Sequence, residues 1–175
     1  MARKSDIFGI SKLEIGAPGD GIMGIILVEF NDIKEGSATL MLPQSETTKI
    51  FSETDRKVPY RVIDAGASEG PKLSLELLGV DMSKWPDLLG GTYASGKWTA
   101  ATTSADNYKS LRITTKPTDV LGTVLKIEMP YALITSGIDA VLTFNDLTPI
   151  KVTAEAMIPV STSGVEGDAL TIEQV

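Results

Sequence analysis

Ile150-Lys151-Val152-Thr153-Ala154-Glu155-Ala156-Met157-Ile158 decides the fold. Apolar side chains stand at 150, 152, 154, 156 and 158, with Lys151, Thr153 and Glu155 opposite them; Met157 alone breaks the polar row. Side chains two apart share one face of a strand, so the stretch predicts a strand with one buried and one wet face. The same period recurs in Leu73, Leu75 and Leu77, in Leu111 and Ile113, and in Leu125, Ile127 and Met129. Further strands are expected at 12–15, 22–30, 37–42, 60–64, 96–101, 132–135, 140–144 and 169–173. Gly, Pro and Asp clusters separate them at short intervals, the spacing of a sandwich or barrel.

Helical signal is confined to Ser83-Lys84-Trp85-Pro86-Asp87-Leu88-Leu89. Ser83 is the expected cap, Pro86 fits only a first turn, and Gly90-Gly91 would end the helix. Trp85 with Leu88 or Leu89 would then plug one end of the sheet core. The expected fold is mainly β, an antiparallel β-sandwich or partial barrel with one short flanking helix, with residues 1–175 forming one domain. Three segments read as loose: a long loop at 44–59, turn chemistry at 102–107, and a C-terminal tether at 161–168. Residues 1–6 read as an N-terminal arm. A sixteen-residue connector is long for a compact domain and is often functional. Its apolar pair points to a contact arm, with Lys49, Ile50, Phe51 and Arg56 the expected contact residues between subunits or rings; a plain mobile hairpin is the other reading.

Histidine and cysteine are both absent from the 175 residues. That removes Ser-His-Asp and Cys-His catalysis, zinc and cysteine-ligated clusters, and disulfides. Carboxylate, lysine, tyrosine or magnesium chemistry stays open. Gly19-Asp20-Gly21-Ile22-Met23-Gly24 matches G-x-G-x-x-G, yet the residues that follow, Ile25-Ile26-Leu27-Val28, are strand-like. A dinucleotide site needs a helix there, so a glycine-rich turn is expected instead. No S-x-x-K pair and no G-K-[ST] loop occurs. Glu53 with Asp55, and Asp139 with Asp146 and Asn145, could share a cation but lack the spacing of a calcium loop. A paired-carboxylate glycosidase would have Trp85 and Trp98 to stack a sugar. The expectation is no catalytic residue, no cofactor and no metal.

Sixteen Lys and Arg against 23 Asp and Glu leave a net charge of −7. A nucleic-acid binder needs a basic face, and this balance runs the other way; it also disfavours anionic membranes. The apolar run 21–30 is too short to span a bilayer, and two basic residues near the start precede no apolar signal region. Cytoplasmic synthesis is therefore expected.

Two larger stretches resemble the tail tube (major tail) proteins of tailed bacteriophages. One is 70–81, GPKLSLELLGVD, followed by Trp85-Pro86-Asp87-Leu88-Leu89-Gly90-Gly91. The other joins Met129-Pro130-Tyr131-Ala132-Leu133-Ile134, Leu142-Thr143-Phe144-Asn145-Asp146-Leu147, and Ile150 to Ala156 with Pro159. The resemblance implies a β-sandwich or partial barrel with a small helix, self-association into hexameric rings, and rings stacked into a tube. It further implies contacts with other tail proteins, DNA passing through the channel without specific binding, and a place in the virion tail after synthesis in the bacterial host cytoplasm. Acids on a channel wall would repel the DNA backbone, and Glu76, Glu128 and Glu155 are the candidates because they stand opposite apolar rows. Other assignments kept open are a capsid decoration or baseplate component, and a glycosidase or small-ligand binding module.

Overall fold

A computed structural model describes residues 9–42, 47–51, 59–64, 70–101, 106–117, 124–138 and 149–175. The alternation at the C-terminal strand folds as its pattern dictates: Ile150, Val152, Ala154 and Ala156 are buried and Lys151, Thr153 and Glu155 face outward. This strand, β11 (Ile150–Ala156), lies between β6 (Lys72–Leu77) and β10 (Leu125–Ile138). Val152 stands opposite Leu75 and Ala154 opposite Leu73, so the inward rows of neighbouring strands coincide. β1 (Ile10–Gly16), β2 (Leu27–Phe30), β3 (Thr39–Met41), β9 (Asn107–Thr115) and β12 (Thr171–Gln174) complete the main sheet. Its order is β2-β1-β9-β10-β11-β6-β3, with β12 on β10, and every pairing is antiparallel.

The two margins of this sheet are tied by one segment. β2 pairs with β1, and the chain beyond it then turns onto β6. The Lys34 amide donates to Glu76 O at 2.8 Å, the Leu78 amide donates to Asp32 O at 2.7 Å, and Ile33 bridges Leu77. β3 continues along β6. The sheet therefore curls into a partial barrel, and a single apolar cluster fills it, including Leu13, Ile15, Leu73, Leu77, Leu111, Ile113, Met129 and Val152. Burying one such aliphatic side chain contributes about 1.5–3 kcal/mol, so the shared interior is the main source of stability.

The fourteen residues of β10 join two strands that the sequence suggests are separate, 125–129 and 132–135. Pro130 lies between them, and the β9 register slips between Met129 and Ala132. Proline has no amide to give a ladder and survives inside a sheet only at such a bulge. The halves keep β9 on one side but divide the other, the first pairing with β12 and the second with β11.

The helix forms where the sequence places it, with a different cap. A 3-10 turn at Met82–Lys84 precedes α1 (Trp85–Leu89), and the Asp81 carboxylate, not Ser83, takes up a free amide, that of Ser83 at 2.8 Å. The start lies one turn earlier than expected, which puts Ser83 inside it. Pro86 occupies the first turn, and Gly90 at φ 69° ends it. Leu88 is buried in the core and Trp85 packs against it. The Trp85 ring meets Trp98 edge-on, at 5.5 Å and 71°. Trp98 belongs to a small hairpin of β7 (Thr92–Ala94) and β8 (Lys97–Thr99).

Several expectations shift. The strand foreseen at 22–30 is only Leu27–Phe30, because the Gly24 amide leaves the ladder and donates to Ser110 Oγ at 2.8 Å. Part of the 44–59 loop is regular: β4 (Thr47–Phe51) pairs with β5 (Pro59–Asp64) as a separate two-stranded sheet. Asn107, foreseen in a turn, opens β9. The 161–168 tether is folded. Val165 O accepts from the Ser161 amide at 2.9 Å, and the Asp20 carboxylate accepts from the Thr162 amide at 2.7 Å and its hydroxyl at 2.8 Å. The strand expected at 140–144 lies outside the described residues, as do 1–6.

Candidate assembly surface

The polar rows of the curled sheet meet as a continuous ion-pair ladder. Reading across β2, β1, β9, β10 and β12, Glu29 pairs with Lys12 at 3.9 Å, Lys12 with Glu14 at 3.2 Å, and Glu14 with Arg112 at 3.9 Å. Arg112 Nε then donates to Glu128 at 2.7 Å, Glu128 meets Lys126 at 3.9 Å, and Lys126 meets Glu173 at 2.6 Å. The register makes this inevitable, since Arg112 stands opposite both Glu14 and Glu128, and Lys126 opposite Glu173. The Lys126 bond holds the Glu173 carboxyl below its ordinary value, and the same bond raises the Lys126 ammonium.

All three candidate channel acids stand on this outward side, and each has a cation. Glu128 belongs to the ladder. Glu76 Oε2 accepts from Lys34 Nζ at 2.6 Å, which lowers its pKa against the opposing effect of partial desolvation. Glu155 lies 3.7 Å from Lys72. The face is thus a mixture of both signs. Strand alternation sends these residues outward and places Lys126 beside Glu128; Arg112, Lys34 and Lys72 are brought to them by the strand order. Of the expected contact residues, Lys49, Ile50 and Phe51 sit on β4 opposite Val62, Arg61 and Pro59. Arg56 lies outside the described residues.

A second surface escaped the sequence reading. The glycine-rich turn is confirmed as a bend between β1 and β2, with no helix following it. Gly24 sits so close to the backbone that an added Cβ would lie 2.0 Å from Ala17 O, and Gly21 adopts φ +71° against Ser161. These contacts, with the Asp20–Thr162 bonds, fasten the turn to the segment after β11. The apolar residues of both segments point outward: Ile25 is 93% exposed and Ile26 84%, and Ile22, Ile158, Val160 and Val165 are each more than half exposed. A run that greasy reads as a buried strand. The signal against that reading is the trio of glycines, which the backbone uses to turn.

Among the described residues, β12 leaves one margin open. Val124 and Val175 exchange both backbone bonds, at 2.9 and 3.3 Å. In an antiparallel pair such exchanges alternate along the strand, so the backbone groups of Ile172 and Gln174 face away from β10.

A cleft of about 140 Å³ between Phe30 and the 77–81 stretch carries Asp32 and Asp81, but Asp81 is occupied in capping and neither tryptophan lines the cleft. The indole N–H groups of Trp85 and Trp98 donate to Val80 O and Gly90 O. Among the described residues no three acids converge as metal ligands, and no helix is long and apolar enough to cross a membrane. Glu53, Asp55, Asp139, Asn145 and Asp146, the candidate cation ligands, lie outside the described residues. No protein-family model and no curated protein sequence matches this chain.

Proposed function

We propose that this chain is a structural subunit that associates with copies of itself into rings, hexameric by resemblance to phage tail tube proteins. The rings stack into a tube in the virion tail, and DNA passes along its channel without specific binding. The subunit performs no catalysis; its work is shape.

The observation that carries this reading is the open margin of β12. A strand with unpaired backbone groups is a template for another chain, and proteins that stay monomeric usually blunt or cover it. Ile172 and Val175 are exposed along that margin, interspersed with Glu173 and Gln174. The β4–β5 hairpin adds support, since two strands alone are marginally stable in water and gain from docking. Head-to-tail contacts that close make rings, and a further contact along the axis makes a filament. The ion-pair ladder also fits, because it presents DNA with neither a basic face to adhere to nor a bare acidic wall.

Light scattering of the concentrated protein followed by negative-stain microscopy tests the proposal. Hollow tubes of uniform width are the expected result. Discrete trimers would assign the chain to a decoration role, and a monomer at every concentration would overturn self-assembly.

A further inference from the structure

We infer that the apolar face made by the β1–β2 turn and the segment after β11 is where a second copy of this chain docks. The inference rests on the self-assembly reading above and names the surface it uses. Six side chains, Ile22, Ile25, Ile26, Ile158, Val160 and Val165, are each more than half exposed there. Their summed exposed area is on the order of 700 Å², close to one side of a standard interface.

The occupant follows from charge. The stretches 21–28 and 157–165 contain no Asp, Glu, Lys or Arg, whereas the chain as a whole carries −7. Two such copies repel over most approaches, and an uncharged apolar face is where they meet at least cost. Asp20, inside the turn, directs its carboxylate into the Thr162 amide and hydroxyl, and Glu166, bridged to Val160, stands at the rim of the apolar stretch. The face is also pre-organised. Gly24 and Gly21 are locked against Ala17 and Ser161, so docking orders little new backbone and loses little entropy. The contact is head-to-tail, because two identical faces meeting each other would stop at a dimer.

The natural chain has no cysteine, so Ile25→Cys and, as a control, Glu35→Cys each carry a single thiol. Maleimide labelling is compared at dilution and after assembly, alongside sedimentation and microscopy of Ile25→Asp/Ile26→Asp. The expected result has three parts. Cys at 25 labels at least ~10-fold more slowly once assembled, because interface cores exclude solvent. The control thiol is unchanged, and the double aspartate variant stays monomeric with its melting point retained. Should that variant fail to fold, the labelling rates decide alone. Tubes in which Cys at 25 reacts at the monomer's rate would overturn this surface and leave the tube reading intact. A chain that never assembles would overturn both. Capture of the monomer by neutral phosphatidylcholine vesicles would make a lipid surface the occupant and overturn the second copy.

Discussion

Ser110→Ala should be among the most damaging single-atom deletions in the molecule. Ser110 is fully buried, and its hydroxyl stands between two backbone groups from distant parts of the chain. It accepts from the Gly24 amide at 2.8 Å and donates to Pro130 O at 2.6 Å. Both partners are irregular, Gly24 in a bend and Pro130 at the slip of the β9–β10 register. Alanine leaves a buried amide and a buried carbonyl unmatched, each costing about 1–3 kcal/mol. Allowing for some relaxation, the expected loss is about 2–4 kcal/mol in urea unfolding. For a chain of this size that corresponds to roughly 5–15 °C in melting temperature. Ser74→Ala is the control, because Ser74 Oγ only approaches Thr153 Oγ1 at 3.5 Å on the outer face, and it should cost less than ~0.5 kcal/mol. Hydrogen exchange localises the effect: the Gly24 amide should lose protection in Ser110→Ala while the β6–β11 amides keep theirs. A loss below ~0.5 kcal/mol with Gly24 protection intact would refute the bridging role.

Acid should weaken the fold through groups whose pKa the fold lowers. Glu76 and Glu173 are held below the ordinary 4.5 by their lysine hydrogen bonds, and Asp81 below 3.8 by Ser83. Their contribution is full above those ordinary values and fades as pH falls through the lowered ones, because the unfolded chain then binds more protons. Urea midpoints measured from pH 6 to pH 2 should fall, and Glu76→Gln/Glu173→Gln should flatten that fall; an unchanged slope would contradict it. Lys126 acts at the other end. Its pKa is raised above 10.5, so its contribution holds below that value and disappears as pH rises through the raised one. A double-mutant cycle on Arg112 and Glu128, which are 2.7 Å apart, should give a coupling of about 0.5–1 kcal/mol that shrinks in 1 M salt. No coupling at low salt would count against the ladder.

How far the residues announce this structure depends on the distance over which the physics acts. The rows at 72–77 and 150–156 were legible because a two-residue period is local and each apolar row has one place to go. Helix α1 was legible from Pro86 and Gly90, its cap less so, since Asp81 lies before a 3-10 turn that leaves no periodic trace. The runs 125–129 and 132–135 look separate in the sequence, yet they form one β10, because the bulge at Pro130 lets the strand continue. The residues of β4, TTKIF, were hidden by the polar sequence around them. The surface was legible only in part. Glu76, Glu128 and Glu155 do face outward, but their partners come from register: Lys34 lies 42 residues from Glu76 and Arg112 16 from Glu128. The exposed isoleucines misled for a different reason. Hydrophobicity says that a side chain avoids water, not whether its own chain or another provides the shelter.

The alternating charges on the outer face have a consequence for anything that moves past it. Neighbouring strands lie about 4.8 Å apart, so opposite signs repeat roughly every 10 Å across the ladder, and a potential of that period dies away within ~2 Å of the plane. That is far inside the ~8 Å over which physiological salt screens a lone charge. A polyelectrolyte travelling beyond first contact would therefore feel little of the alternation, only the small surplus of four carboxylates over three cations.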